Sequence, residues 1–105
     1  GVWAQLRLVE AGGGQRAPGD SVLLSCRGSG FTFGNFDILW YRQAPGGRPE
    51  FLSFISYGST NIIFGQSVEG RASTSRDNSR SESSLSLRSL NPRDSARYFC
   101  AVHTQ

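Results

Sequence analysis

The sequence predicts an all-β fold, a sandwich or a barrel, on three observations. Turn-forming clusters recur every eight to twelve residues. The segments between them alternate apolar and polar residues. No stretch keeps apolar residues at helical spacing for more than about two turns. At 105 residues the chain is one domain with a single modest core. Thirteen glycines, frequent serine and no methionine suit short strands joined by tight turns.

In order, the turn clusters are AGGG at 11–14, APGD at 17–20, GSG at 28–30, APGG at 44–47, YGST at 57–60, DNS at 77–79 and NPRD at 91–94. In the strand before GSG, Val22, Leu24 and Cys26 share one face. In ILWYRQ, Ile38, Trp40 and Arg42 share one face, and Leu39, Tyr41 and Gln43 the other. In SLSLRSL, Leu85 and Leu87 point inward while Ser84, Ser86 and Arg88 face solvent. In ARYFCA, Ala96, Tyr98 and Cys100 oppose Arg97, Phe99 and Ala101. The serines of STSRDNSRSESS at 73–84 mark exposed hairpin positions. No repeat, linker or low-complexity tract interrupts this pattern.

The formal charge is +3, and all eleven basic residues are arginines, scattered from Arg7 to Arg97 among eight acids. A nucleic-acid reader would gather them into a stripe, so a solvated surface with a few framework ion pairs is expected, with no nucleic-acid partner. No apolar run approaches the ~18–20 residues of a membrane span, so this domain itself is not expected to contact a membrane.

Catalysis is not expected. The single histidine, His103, has no neighbouring ligands for a metal, and AGGGQRAPGD lacks the Lys-Ser/Thr of a phosphate-binding loop. No cofactor is expected. Cys26 and Cys100 are too few for a zinc site and are not spaced as a redox pair, which leaves one long-range disulfide or two buried thiols. Period two puts both on buried faces, so a bond between sheets is sterically reasonable. Closing so long a loop would stabilise by about 4 kcal/mol in the chain-entropy model, and would imply an oxidising compartment, hence a secreted or cell-surface location.

Three residues sharpen the fold. Trp40 follows Cys26 by fourteen positions, and Tyr98 precedes Cys100 by two. A Cys–Trp–Cys framework with a tyrosine corner describes an immunoglobulin domain, with the indole packed against the disulfide and the phenol pinning a turn. From Gln5 to Val102 the chain closely resembles the heavy-chain-type variable (V-set) domain of antigen receptors. The stretches that carry the resemblance are LVEAGGG, LSCRGSGFTF, WYRQAPGG, SVEGR, SRDNS and DSARYFCA. The resemblance implies a Greek-key sandwich of two antiparallel sheets and nine strands. It also implies a structural pair between Arg71 and Asp94.

The same resemblance places hypervariable loops at 30–37 (GFTFGNFD) and 56–63 (SYGSTNII) and implies binding of a protein or other antigen through them. Aromatic rings supply rigid contact area there, and Ser, Thr and Asn supply adaptable hydrogen bonds. The expected exposed contacts are Asn35, Phe36, Asp37, Tyr57, Ser59, Thr60 and Asn61, with Phe31 and Phe33 tucked in as anchors.

The expected partner interface is the outer face of the Trp40 strand: Tyr41, Gln43, Arg48, Phe51 and Phe99. Here RPEF (48–51) stands where heavy-chain domains carry Gly-Leu-Glu-Trp. Changes of this kind resemble those of single-domain antibodies, which stay unpaired. Tyr41, Phe51 and Phe99 still offer aromatic area, so the domain is expected to be unpaired or unconventionally paired, with a light-chain-like second variable domain as the ordinary alternative. WYRQ with PEFL, and DSARYFCAV, also resemble T-cell-receptor variable domains. An adhesion or co-receptor immunoglobulin domain, binding through a sheet face, is the alternative of another class.

Ala72, Thr74 and Ser83 stand at strand positions where relatives carry larger apolar side chains. If all three point inward, either neighbours such as Phe64 fill the space or the domain is less stable than its relatives. Residues 1–4 are read as the remnant of a signal peptide, with Val2 and Ala4 at its small-residue positions, and the variable domain as 5–105. The ninth strand is expected to be missing. An unrearranged gene segment, a shortened chain and completion by another chain are the three explanations.

Overall fold

The structure, a computed structural model, describes residues 6–104. It contains eight strands: β1 (Arg7–Gly12), β2 (Val22–Ser29), β3 (Phe36–Gln43), β4 (Glu50–Ile55), β5 (Ile62–Phe64), β6 (Ala72–Asp77), β7 (Glu82–Leu87) and β8 (Arg97–Thr104). They form two four-stranded antiparallel sheets, ordered β1-β2-β7-β6 and β5-β4-β3-β8. Short 3-10 turns precede β3, β7 and β8.

The alternation read from the sequence becomes the two inner faces. Leu24, Cys26, Leu85 and Leu87 from the first sheet meet Ile38, Trp40, Leu52, Ile55 and Cys100 from the second, with Phe33 and Val68 closing the ends. Trp40 is fully buried beside its cross-strand partner Cys100. Cys26 and Cys100 form a disulfide that joins the sheets across 74 residues of chain. The choice between a disulfide and buried thiols is thus resolved.

Close approach explains one glycine at the end of β1. Gly12 has φ of 97°, and a Cβ there would lie 2.5 Å from the main-chain oxygen of Leu23. Only glycine combines that conformation with that contact.

Ala72 and Thr74 are half-buried on the inward face of β6, and Ser83 on β7 is fully buried. Ser83 is therefore an exception to the exposed reading of the serine-rich segment. Its hydroxyl donates to Ser75 O at 2.8 Å, and that of Thr74 donates to Ser84 O at 2.9 Å. Phe64 packs against the same core. Polar side chains here are satisfied by neighbouring strands, which removes the cost of burying them bare.

The outer faces of the two sheets differ. The first sets serines in register across strands, with Ser25, Ser84 and Ser75 in one row and Ser86 beside Ser73 in the next. The second is apolar: Ile63, Phe54, Leu39 and Ala101 lie in one cross-strand row. Tyr41 then sits between Phe51 and Phe99 in the next. The residues read as a signal-peptide remnant, 1–4, lie outside the described residues.

Candidate functional site

The first loop is anchored from beneath by Gly28. A Cβ at this buried glycine would lie 2.7 Å from the rings of both Phe31 and Phe33. The missing side chain lets those rings settle onto the core, as expected of anchors. Phe31 also meets Phe36 edge-on, with centroids 5.1 Å apart. Phe36 is therefore only half-exposed, while Asn35 is exposed.

The second loop is a tight turn built on Ser56. Its buried hydroxyl accepts from the main-chain N–H of Thr60 (3.1 Å) and Asn61 (3.0 Å), and its own N–H donates to Asn61 O (3.0 Å). Ser59 adopts a left-handed conformation, φ 63°, at the tip. Tyr57, Ser59, Thr60 and Asn61 all face solvent, with Tyr57 half-exposed by area.

Asp37 corrects an expectation. It is 3% exposed rather than a surface contact, because β3 begins at Phe36 and carries residue 37 beneath the second loop. Its carboxylate accepts the Tyr57 N–H at 2.9 Å and lies 3.7 Å from His103 Nδ1. Asp37 thus ties the two loops together.

Arg76, which the sequence reading gave no role, completes the joint. It projects inward from β6 and donates to the main-chain oxygens of Phe33 (3.0 Å), Ser56 (2.9 Å) and Ile55 (3.3 Å). It also donates to Asn78 Oδ1 at 2.7 Å. Burial pushes the Arg76 guanidinium below the usual arginine range, and the nearby charge of Asp37 opposes that shift. Asn78 in turn donates to Tyr57 O at 3.0 Å. Tyr57 is therefore held through both its main-chain N–H and its carbonyl. Its ring is left to solvent.

The opposite end of the sandwich is closed by charge. The Asp94 carboxylate accepts from Arg71 through both oxygens (2.9 and 3.0 Å), from Arg42 at 2.7 Å, and from the Asn91 N–H at 3.0 Å. The Arg71–Asp94 pair implied by the resemblance is present. Arg42, the partner not foreseen, also reaches Glu50 (2.7 Å) and Tyr98 Oη (3.1 Å). Tyr98 donates to Asp94 O at 2.7 Å, which is the expected corner. Burial alone would raise the Asp94 carboxyl, but the hydrogen bonds from Arg71, Asn91 and Arg42 outweigh it and hold it at about 2. The inward face shared by Arg42 and Trp40 was the available signal, since a buried cation requires a counter-charge.

On the outer face of the second sheet, Tyr41 stacks on Phe99 (centroids 5.6 Å, 17°) and meets Phe51 edge-on at 6.1 Å. Three of the five residues expected at the interface are thus in contact. Gln43 lies opposite Arg97 in the register, its amide donating to Gly47 O at 3.0 Å. Arg48 is exposed on the β3–β4 turn. The sequence reading gave no interface role to Leu39, Phe54, Ile63 or Arg97, although alternation had put Leu39 and Arg97 on this face. Arg97 extends the aromatic run, its guanidinium 4.7 Å from the Phe99 centroid.

Among the described residues no group of three or more His, Cys, Asp or Glu could hold a metal ion, and no helix is long and apolar enough to cross a membrane. Compared with known protein families, residues 15–105 match the model of the Immunoglobulin V-set domain.

Proposed function

The chain belongs to the immunoglobulin V-set domain family, and on that premise we propose that it is an antigen-recognition variable domain of heavy-chain type from an adaptive immune receptor. The domain takes residues 5–105 and works outside the cell, where a disulfide such as Cys26–Cys100 persists. Antigen is bound by the loops at 30–37 and 56–63, through Asn35, Phe36, Tyr57, Ser59, Thr60 and Asn61. Asp37 contributes from below by holding Tyr57.

The observation that carries this reading is the way the loops are held. Asp37, Arg76 and Asn78 grip both loops by main-chain atoms and leave an exposed ring at Tyr57 beside Ser59, Thr60 and Asn61. Preorganised backbone with a rigid aromatic and adaptable polar neighbours is the chemistry of a binding surface.

The domain pairs with a second variable domain, and unconventionally. The outer face of the second sheet keeps its aromatic cluster and an apolar row reaching Ile63, which is 56% exposed. An apolar face of this extent favours a covered state over a lone domain. Arg48 and Pro49 alter its rim from the ordinary pattern.

The experiment is selection of a binding protein against the displayed chain, followed by alanine substitution. Tyr57→Ala should weaken binding by about 30-fold, as truncating a central aromatic does, while Ser84→Ala on the outer serine face should leave it unchanged. Binders that are uniformly sensitive to the sheet faces and indifferent to Tyr57 and Asn61 would replace this reading with an adhesion domain.

A further inference from the structure

We infer that the partner domain brings a carboxylate to the rim of the shared interface, opposite Arg97. The inference rests on the pairing reading above and names the chemistry of the partner. Along the outer face of β3 and β8, the cross-strand pairs run Asp37–His103, Leu39–Ala101, Tyr41–Phe99 and Gln43–Arg97. Asp37 at the loop end is buried beneath the second loop, so apolar surface runs from there to an exposed charge at the far end. At the end remote from the loops the charge is a cation lying on an aromatic ring.

Among the described residues Arg97 has no ion-pair partner, and neither does the exposed Arg48 on the adjacent turn. Glu50, the nearest acid in the β4 strand, is taken by Arg42, whose hydrogen bond holds its carboxyl below the usual range. Arg48 shares a cleft with Ala44, Pro49, Glu50 and Arg93, so the exposed charge around this rim is mainly positive.

Two variable domains that present their loops side by side stack these faces with the remote ends together. The partner then covers Phe99 and strips water from the guanidinium lying on it. A desolvated cation needs a counter-charge, and like charges placed opposite one another oppose association. A second copy of this chain would bring Arg97 against Arg97 and Arg48 near Arg48, so self-pairing is disfavoured. An acidic rim on a different domain satisfies the same geometry.

The chain itself supplies the probe. The Arg97→Glu variant keeps the shape of the face and puts a carboxylate at its rim. We expect wild type alone and the variant alone to sediment as monomers, and an equimolar mixture to form a dimer at least ~10-fold tighter than either, the scale of one good interfacial charge pair. Raising the salt concentration should weaken that dimer. Tyr41→Ser in both chains, or Phe51→Ser where circular dichroism shows Tyr41→Ser to be unfolded, should abolish it.

If wild type dimerises as tightly as the mixture, and Tyr41→Ser disrupts both, the occupant is a second copy. The inference then fails while the pairing face survives. Absence of association in every combination, or association indifferent to Tyr41 and Phe51, would overturn the inference and the pairing reading together.

Discussion

Arg76 holds Phe33 twice. Its guanidinium donates to the Phe33 main-chain oxygen at 3.0 Å and lies 5.0 Å from the centroid of the same residue's ring. A planar fork does both while also reaching Ile55, Ser56 and Asn78, a spread that the compact ammonium of lysine does not match. Arg76→Lys should therefore leave the fold intact and loosen both loops. Native-state hydrogen exchange should rise at least ~10-fold at residues 33–36 and 56–61 and stay unchanged in β2 and β7.

Asp94 lies between two arginines and is buried. Asp94→Ala leaves Arg42 and Arg71 without their common counter-charge. The expected loss is about 3 kcal/mol, within the range for breaking a buried pair, and urea denaturation would measure it. Asp94→Asn, which keeps the shape and one of the two acceptor oxygens, should lose less.

The same carboxyl gives a pH dependence. Its value is lowered from 3.8 to about 2 in the folded chain, so its contribution is complete above about pH 4 and is lost as pH falls from there towards 2. Stability of the wild type should fall through that window by on the order of 2 kcal/mol more than that of Asp94→Asn. Denaturant midpoints measured at pH 5 and pH 2.5 would show the difference.

Tyr98→Phe removes one hydroxyl that donates to Asp94 O and accepts from Arg42. The ring still packs against the core. A cost of about 1–3 kcal/mol is expected, because two satisfied polar groups lose a partner. Equilibrium unfolding followed by Trp40 fluorescence would report it.

Replacing both cysteines by alanine should destabilise by about 4 kcal/mol, because the unfolded chain is freed from a cross-link spanning 74 residues, with a further cavity term beside Trp40. Thermal unfolding of the double variant at matched pH tests the sum.

Legibility in the sequence followed what each residue's position depends on. Cys26, Trp40, Tyr98 and Cys100 were readable because spacing and alternation fix which face they occupy. Arg71 and Asp94 came only through the resemblance, since no periodicity links residues on different strands. Arg42 and Arg97 were placed on the right faces, but alternation says nothing of what lies opposite. Asp37 is buried where exposure is expected because β3 already takes in the last two residues of the expected loop, and because the second loop folds over it. Arg76 shares the inward face of β6 with Ala72 and Thr74 by period two, so alternation gives its direction, but nothing local gives the loop carbonyls it meets there.

The clamp on Tyr57 is made entirely to main-chain atoms. Asp37 and Asn78 touch its N–H and carbonyl, and Arg76 touches the carbonyls of Phe33, Ile55 and Ser56. Every amino acid except proline offers both of those main-chain groups. The exposed positions between the clamps can therefore be rewritten without rebuilding the clamps, so one scaffold can serve a whole repertoire of surfaces.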